Sequence, residues 1–195
     1  MTPKITLLTP NNALVKKYID KFNKEDSITD NTIRKLIDRF PTNKDIEDIL
    51  LKVTVINRLY NTGFYDVYKM ARHIRSLNID ARLTSGDLSL VNAIASGHLI
   101  IPKKAHTEIY CYSFATKYCN WHNHSAFPIF DSHVGKILFE YQRRDGFAKF
   151  KKKDLWDYTR FKDIIGDFLR YYSLSGYDLK QLDKFLWKYA QEVYS

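Results

Sequence analysis

Apolar residues return at helical spacing along most of the chain. A stripe capped by Asn11 or Asn12 runs to about Asn23, and a second begins at Ser27 or Thr29 and stops before Pro41. Thr42 or Asn43 opens a longer helix, with Asp45, Glu47 and Asp48 in its first turn and Ile46, Ile49, Leu50, Val53 and Ile56 as its stripe. Gly63 to Leu77 reads as another helix, Ile79 to Leu83 as a connection, and Ser85-Gly86-Asp87 as the start of a short helix ending near Gly97. A brief apolar segment, His98 to Pro102, follows. From Thr107 to Asn120, Ile109, Tyr112, Ala115 and Cys119 fall on one side of a helix and Ser113, Lys117 and Asn120 on another, so that polar side faces something other than core. Pro128 pushes Phe127 out of helical angles, so Phe127 to Phe130 is extended, and Asp131 or Ser132 caps a helix carrying Val134, Ile137, Leu138 and Tyr141. Two clean stripes close the chain, Phe161 to Tyr172 and Leu179 to Tyr189.

No linker or internal repeat interrupts this pattern. It predicts a single compact all-α domain over residues 1–195, with eight to ten helices. Composition agrees: 45% of the 195 residues are hydrophobic and 27% charged, and seven Gly and five Pro are too few for a turn-dense β fold. No run approaches the roughly twenty apolar residues that span a bilayer, and Met1-Thr2-Pro3-Lys4 leads into too short an apolar run for a signal peptide. The expectation is a soluble cytoplasmic protein with no membrane partner and no obligate protein partner. Cys111 and Cys119 cannot form a disulfide framework, and no CxxC is present. His122, His124 and His133 with Cys119 lack a second orderly ligand pair, so neither a metal nor another cofactor is expected.

Charge changes the picture. Thirty-one Lys and Arg stand against 22 Asp and Glu, a net +9, which makes a polyanion the first partner to consider. A solvated basic surface accounts for the charge equally well until it meets aromatic and pocket residues. Aromatics make 15%, with 14 Tyr, 12 Phe and three Trp, enough for a core, an interface or base stacking.

The most informative window is Tyr112 to Leu138, where a helix, a His- and Asn-rich loop, an extended Pro turn and a capped helix follow in order. Its segment Phe127-Pro128-Ile129-Phe130-Asp131-Ser132-His133-Val134 resembles the turn of the helix–hairpin–helix (HhH-GPD) DNA glycosylases, closest to their adenine-mismatch branch. That resemblance implies an HhH-GPD-like fold and makes Asp131 the catalytic carboxylate of a DNA N-glycosylase acting on double-stranded DNA. Leu51 to Thr62 resembles the family's DNA-facing helix, and Leu182 to Ala190 its closing helix. The chain departs from the family twice. Where the family has its glycine-rich hairpin, His98 to Tyr110 has no such glycines, making the hairpin atypical and leaving Lys103, Lys104 and His106 to contact phosphate by charge. Where lyase-competent members carry their lysine, Tyr112 or Ser113 stands, with Lys117 one turn later, so the expected enzyme is monofunctional, with Lys117 a second catalytic candidate.

The chemistry fits those residue types. Cleaving a base from deoxyribose builds positive charge on the sugar, which a nearby carboxylate stabilises while positioning or deprotonating water. The nucleotide must be flipped into a pocket, for which Tyr112, Trp121, His122, Asn123 and Phe130 are the nearest candidates. Asn57, Arg58, Tyr60 or Asn61 would fill the vacated stack, and His133, Lys136 and the run Lys151-Lys152-Lys153 would meet phosphates. The short chain also resembles compact bacterial members, some of them similar to antiviral glycosylases that excise modified cytosines from phage DNA; repair of oxidised, alkylated or mismatched bases fits equally. Two other readings stand beside it: a non-catalytic helical DNA-binding module, and a helical scaffold whose Tyr-rich surface binds protein. Asp131 also has a purely structural explanation as an N-cap, worth about 1 kcal/mol.

Overall fold

The computed structural model describes residues 7–97, 99–100 and 108–194. Among them the protein is all-helical, with ten α-helices, one 3-10 turn and a two-residue antiparallel strand pair, Leu99–Ile100 (β1) with Glu108–Ile109 (β2). No helix among the described residues is long and apolar enough to cross a membrane. The chain divides into two compact units, one made of Met1–Ser27 with Phe130–Ser195 and the other of Ile28–Ile129.

The discontinuous unit is built on aromatic packing. Asn11 caps α1 (Asn12–Glu25) by accepting the Leu14 amide, and α1 lays Val15, Tyr18 and Phe22 against α10 (Leu179–Tyr194). The helix α8 (Ser132–Asp145) packs on α10, and α9 (Tyr158–Tyr171) packs on the 3-10 turn over Lys152–Trp156. At its centre the Phe168 ring meets those of Tyr141, Phe147 and Tyr172 at 5.6, 5.3 and 4.7 Å. The last part of the Lys149 to Lys153 run is therefore structured, with Lys152 Nζ 4.8 Å over the Phe139 ring.

The continuous unit holds α2 (Ser27–Arg39), α3 (Ile46–Leu59), α4 (Val67–Ser76), α5 (Asp80–Ser85), α6 (Ser89–Ala95) and α7 (Tyr112–His122). α7 is its axis: α3, α5 and α6 all pack on it, and nine of its 11 residues are buried. Several local expectations change here. Asn43 does not cap α3; Asp45 does, taking the amides of Glu47 and Asp48. α4 starts at Val67, not Gly63, because Gly63 (φ +83) and Asn61 (φ +50) turn the chain first. The segment read as a connection, Ile79 to Leu83, forms most of α5, bounded by left-handed Asn78 and Gly86. At Gly86 both backbone and space demand glycine, since φ is +71° and a Cβ would lie 3.0 Å from that of Ala126. The helix expected from Thr107 begins only at Tyr112, after β2.

Candidate functional site

Polar groups buried in the continuous unit gather at two places. The first is a hub beneath α3. Lys52 lies in the apolar stripe between Ile49 and Val53, is fully enclosed, and donates to the carbonyls of Phe40 (3.0 Å) and Thr42 (2.6 Å) and to Asn43 Oδ1 (2.9 Å). That oxygen also accepts from the Tyr118 hydroxyl at 2.5 Å, while the Asn43 backbone and side-chain nitrogens donate to Asp80 at 2.7–3.1 Å. Burial pulls the Lys52 ammonium down to about 8 against the opposing pull of Asp80 and Asp48. Next to it the His122 ring rests 5.2 Å from that of Tyr118, with Nε2 enclosed and without a hydrogen-bond partner. Burial first, and then the Lys52 charge, lowers His122 to about 3, so the imidazole is neutral at physiological pH.

The second place joins α7 to the end of α3. Lys117, 2% exposed, donates to Ser113 Oγ at 2.6 Å and stands 5.3 Å over the Tyr60 ring. The Trp121 indole donates to the Tyr60 hydroxyl at 3.1 Å, that hydroxyl lies 3.4 Å from Asp30 Oδ1, and the Arg34 guanidinium stands 5.8 Å over the Trp121 ring. The polar side of α7 thus turns inward, and its far end, Asn120, donates to the Phe127 carbonyl at 2.6 Å.

Of the candidates named from sequence, Lys117, Tyr60 and Trp121 come together in this cluster. Tyr112 is buried at the start of α7, stacked on Tyr110. Asn123 has its carboxamide committed to the turn after α7, donating to the Leu83 carbonyl and accepting from Ser125 and Ala126. Asn57 is likewise committed, to the Phe64 carbonyl and the Thr62 hydroxyl. Arg58 and Asn61 are exposed on the same α3–α4 turn. Its most prominent groups are ones the sequence reading passed over: Tyr65 is 80% exposed, with Leu59 and Tyr68 beside it in the chain, also exposed. Lys103, Lys104 and His106 lie outside the described residues.

Phe127 to Ile129 end the continuous unit without helix or strand, and in the other unit Asp131, extended at φ −138° and ψ 154°, is the N-cap of α8, its Oδ1 accepting the His133 amide at 2.9 Å. Phe130 is core, against Phe161 at 5.4 Å and Trp156 at 5.2 Å. Lys136 is exposed, 5.7 Å over the Tyr194 ring. His133 Nδ1 and the Tyr194 hydroxyl are enclosed without a hydrogen-bond partner and line one hollow of about 460 Å³, with Lys21, Lys188, Gln191 and Glu192. No group of three or more His, Cys, Asp or Glu among the described residues is placed to hold a metal.

The family described as HI_0787_N, an N-terminal domain, matches residues 14–126, more than half of the chain. A protein of Haemophilus influenzae (strain ATCC 51907 / DSM 11121 / KW20 / Rd) described as uncharacterized is 40% identical over 150 residues, 76% of this chain and 69% of that protein. The chain belongs to the HI_0787_N family. No solved structure matches it. The HI_0787_N match takes in the Lys52 hub and the Lys117 cluster and ends just before Phe127, so Asp131 lies outside it. The Lys52 hub was missed by sequence reasoning, although a signal for it was present: Lys52 occupies an i+3 position in the stripe Ile49, Val53, Ile56, where a charge must be either an error of register or a buried, fully bonded group.

Proposed function

We propose that this protein is a DNA N-glycosylase of the helix–hairpin–helix kind, flipping a modified or damaged nucleobase from duplex DNA and hydrolysing its glycosidic bond. The observation that carries the reading is the setting of Asp131: a non-helical Pro-containing run leads to a carboxylate on an extended residue at the first turn of a helix, where the His133 amide fixes its direction. A carboxylate so fixed stabilises the cationic sugar as the bond to the base breaks and takes the proton of the attacking water, leaving an abasic site and the free base. Lys117 is buried against Ser113 and Tyr60, which supports a monofunctional enzyme, since a Schiff-base lysine needs access to the sugar carbon. On the α3–α4 turn, Tyr65 and Leu59 replace Asn57 as the groups suited to fill a vacated stack, because the Asn57 amide is already engaged.

The test is abasic-site formation on duplexes carrying ordinary, oxidised, alkylated, mismatched and phage-type modified bases. Wild type is expected to release base from at least one, and Asp131→Asn to lower the rate at least a hundredfold with duplex affinity within threefold, on the order of general acid–base effects. Release of no base from any duplex, or an unimpaired Asp131→Asn, overturns the reading. The second reading, a non-catalytic DNA-binding module, is favoured by the same cap, since Oδ1 already serves the helix's own amide; it predicts salt-dependent binding with no abasic product.

A further inference from the structure

The helix α4 is amphipathic in an unusual way. Its inner face is Met70, Ala71 and Ile74, all fully buried, and its outer face runs Tyr68, Arg72, Arg75 at i, i+4, i+7 with no Asp or Glu anywhere in the helix. At its C-terminal end Arg72, Arg75 and Ser76 meet Asn78, Asn43 and Lys44 around a hollow of about 450 Å³. Three cations, two from α4 and one from the segment before α3, therefore line one concavity.

We propose that this hollow binds a phosphate group. Among the described residues neither the arginines nor Lys44 has a side-chain hydrogen bond or ion pair, and all three are exposed. Arg72 and Arg75 repel each other at i, i+3, an arrangement that does not stabilise the helix. A favourable interaction with the last carbonyls of α4 explains one basic side chain there, but not a lysine brought from another element to face it. The hollow is also held in shape from within. The Lys52–Asn43–Asp80 hub ties the segment before α3, which carries Lys44, to the start of α5, just after Asn78. Asn78, in the left-handed region at φ +47°, ends α4 and turns the chain around the rim. Fixed walls, two guanidinium groups and an ammonium, with the Asn78 amide on the rim, are the chemistry that recognises a phosphate oxyanion, as a point charge for lysine and bidentately for arginine. A phosphodiester of a nucleic acid and the phosphate of a small molecule share that chemistry. The proposal goes beyond the glycosylase reading and does not depend on it, since it concerns binding and not base release.

The experiment uses the full chain and two probes, a 20-base-pair unmodified duplex and inorganic pyrophosphate. The variants are Arg72→Ala/Arg75→Ala and, as a charge-matched control in the same unit, Lys35→Ala/Arg39→Ala; all four positions are exposed, so folding is undisturbed. The hollow variant is expected to bind duplex at least tenfold more weakly at low salt, with the log–log salt slope reduced by about two, while the control changes by less than threefold. Loss of duplex binding with no pyrophosphate-induced rise in melting temperature in wild type assigns the hollow to a nucleic-acid backbone. A pyrophosphate-induced rise that the hollow variant loses, with duplex binding unchanged, assigns it to a phosphorylated small molecule. If both variants lose duplex binding equally, or neither probe responds to Arg72 and Arg75, the proposal is overturned. Absence of base release in every case leaves it standing and removes only the glycosylase reading.

Discussion

The two units of this chain build their interiors from rings and polar groups in different proportions. The unit of Met1–Ser27 and Phe130–Ser195 encloses chiefly rings, and its buried lysines Lys180 and Lys188 are each met by carboxylates, Lys188 by Glu25 and Asp26 at 2.8 and 2.7 Å and Lys180 by Asp183 at 3.9 Å. The Ile28–Ile129 unit places Lys52, Lys117, Asp30, Asn43, Thr116 and Asn120 inside. Rings tolerate small shifts of their neighbours, because dispersion is not directional; a buried ammonium does not, because every bond it lacks carries the desolvation cost of a charge. The continuous unit is therefore the one whose geometry is most tightly prescribed, and most of the HI_0787_N match, residues 14–126, falls within it.

That contrast is broken most directly by truncation in each unit. Phe168→Ala removes the ring at the centre of the aromatic core and is expected to cost about 3–5 kcal/mol. Lys52→Met keeps the apolar length of the side chain and removes only the ammonium, yet it strands the carbonyls of Phe40 and Thr42 and leaves Asn43 Oδ1 with the Tyr118 hydroxyl alone. A cost of about 3 kcal/mol is expected, measured by urea unfolding. The two differ in kind. Phe168→Leu should recover most of the loss, whereas no apolar residue should rescue position 52. A Lys52→Met change within about 1 kcal/mol of wild type would show that the hub is packing after all.

The hub is sharpened by pH through His122. Its ring is neutral in the folded protein down to about 3, while in the unfolded chain it takes a proton below about 6.5. Between those values the unfolded state binds more protons, so stability falls as pH falls, by up to about 1.4 kcal/mol per unit. Nε2 has no partner to lose, so His122→Phe should be nearly neutral at pH 7 and should flatten the acid limb between pH 6 and 4. Urea midpoints at pH 7 and 4.5 read both. Unchanged acid sensitivity in the variant would assign that limb to carboxylates such as Asp87, held low by Ser89 and Arg82.

How much of this was legible in the sequence follows from the same physics. Helices α1, α2, α3, α8, α9 and α10 announce themselves because a long apolar stripe recurs at 3.6-residue spacing, and at α1 and α8 the capping residues Asn11 and Asp131 also stand where the sequence puts them. α5 does not, since six residues between two left-handed turns are too few for a period to show, and the start of α7 moves because β2 borrows apolar residues that fit a helix equally well. The polar side of α7 was legible as a side but not as an interior, because a sequence shows which residues share a face and not what covers it. The convergence of Lys44 with Arg72 and Arg75 joins residues far apart in the chain, and only the absence of any acid in α4 hinted at it.

The smallest expected effect separates structure from chemistry at Asp131. As an N-cap it satisfies the His133 amide, and Asp131→Ala should cost about 1 kcal/mol, seen as a small drop in the urea midpoint. Asp131→Asn keeps an oxygen for that amide and a residue that caps equally well, so its stability should match wild type within about 0.5 kcal/mol. The asparagine has lost only the negative charge. If base release then falls as expected while the urea midpoint stays put, the carboxylate acts on the substrate and not on the helix. If Asp131→Asn destabilises as much as Asp131→Ala, the charge at the head of α8 is itself structural, through the helix dipole, and any loss of activity in either variant reports on the fold.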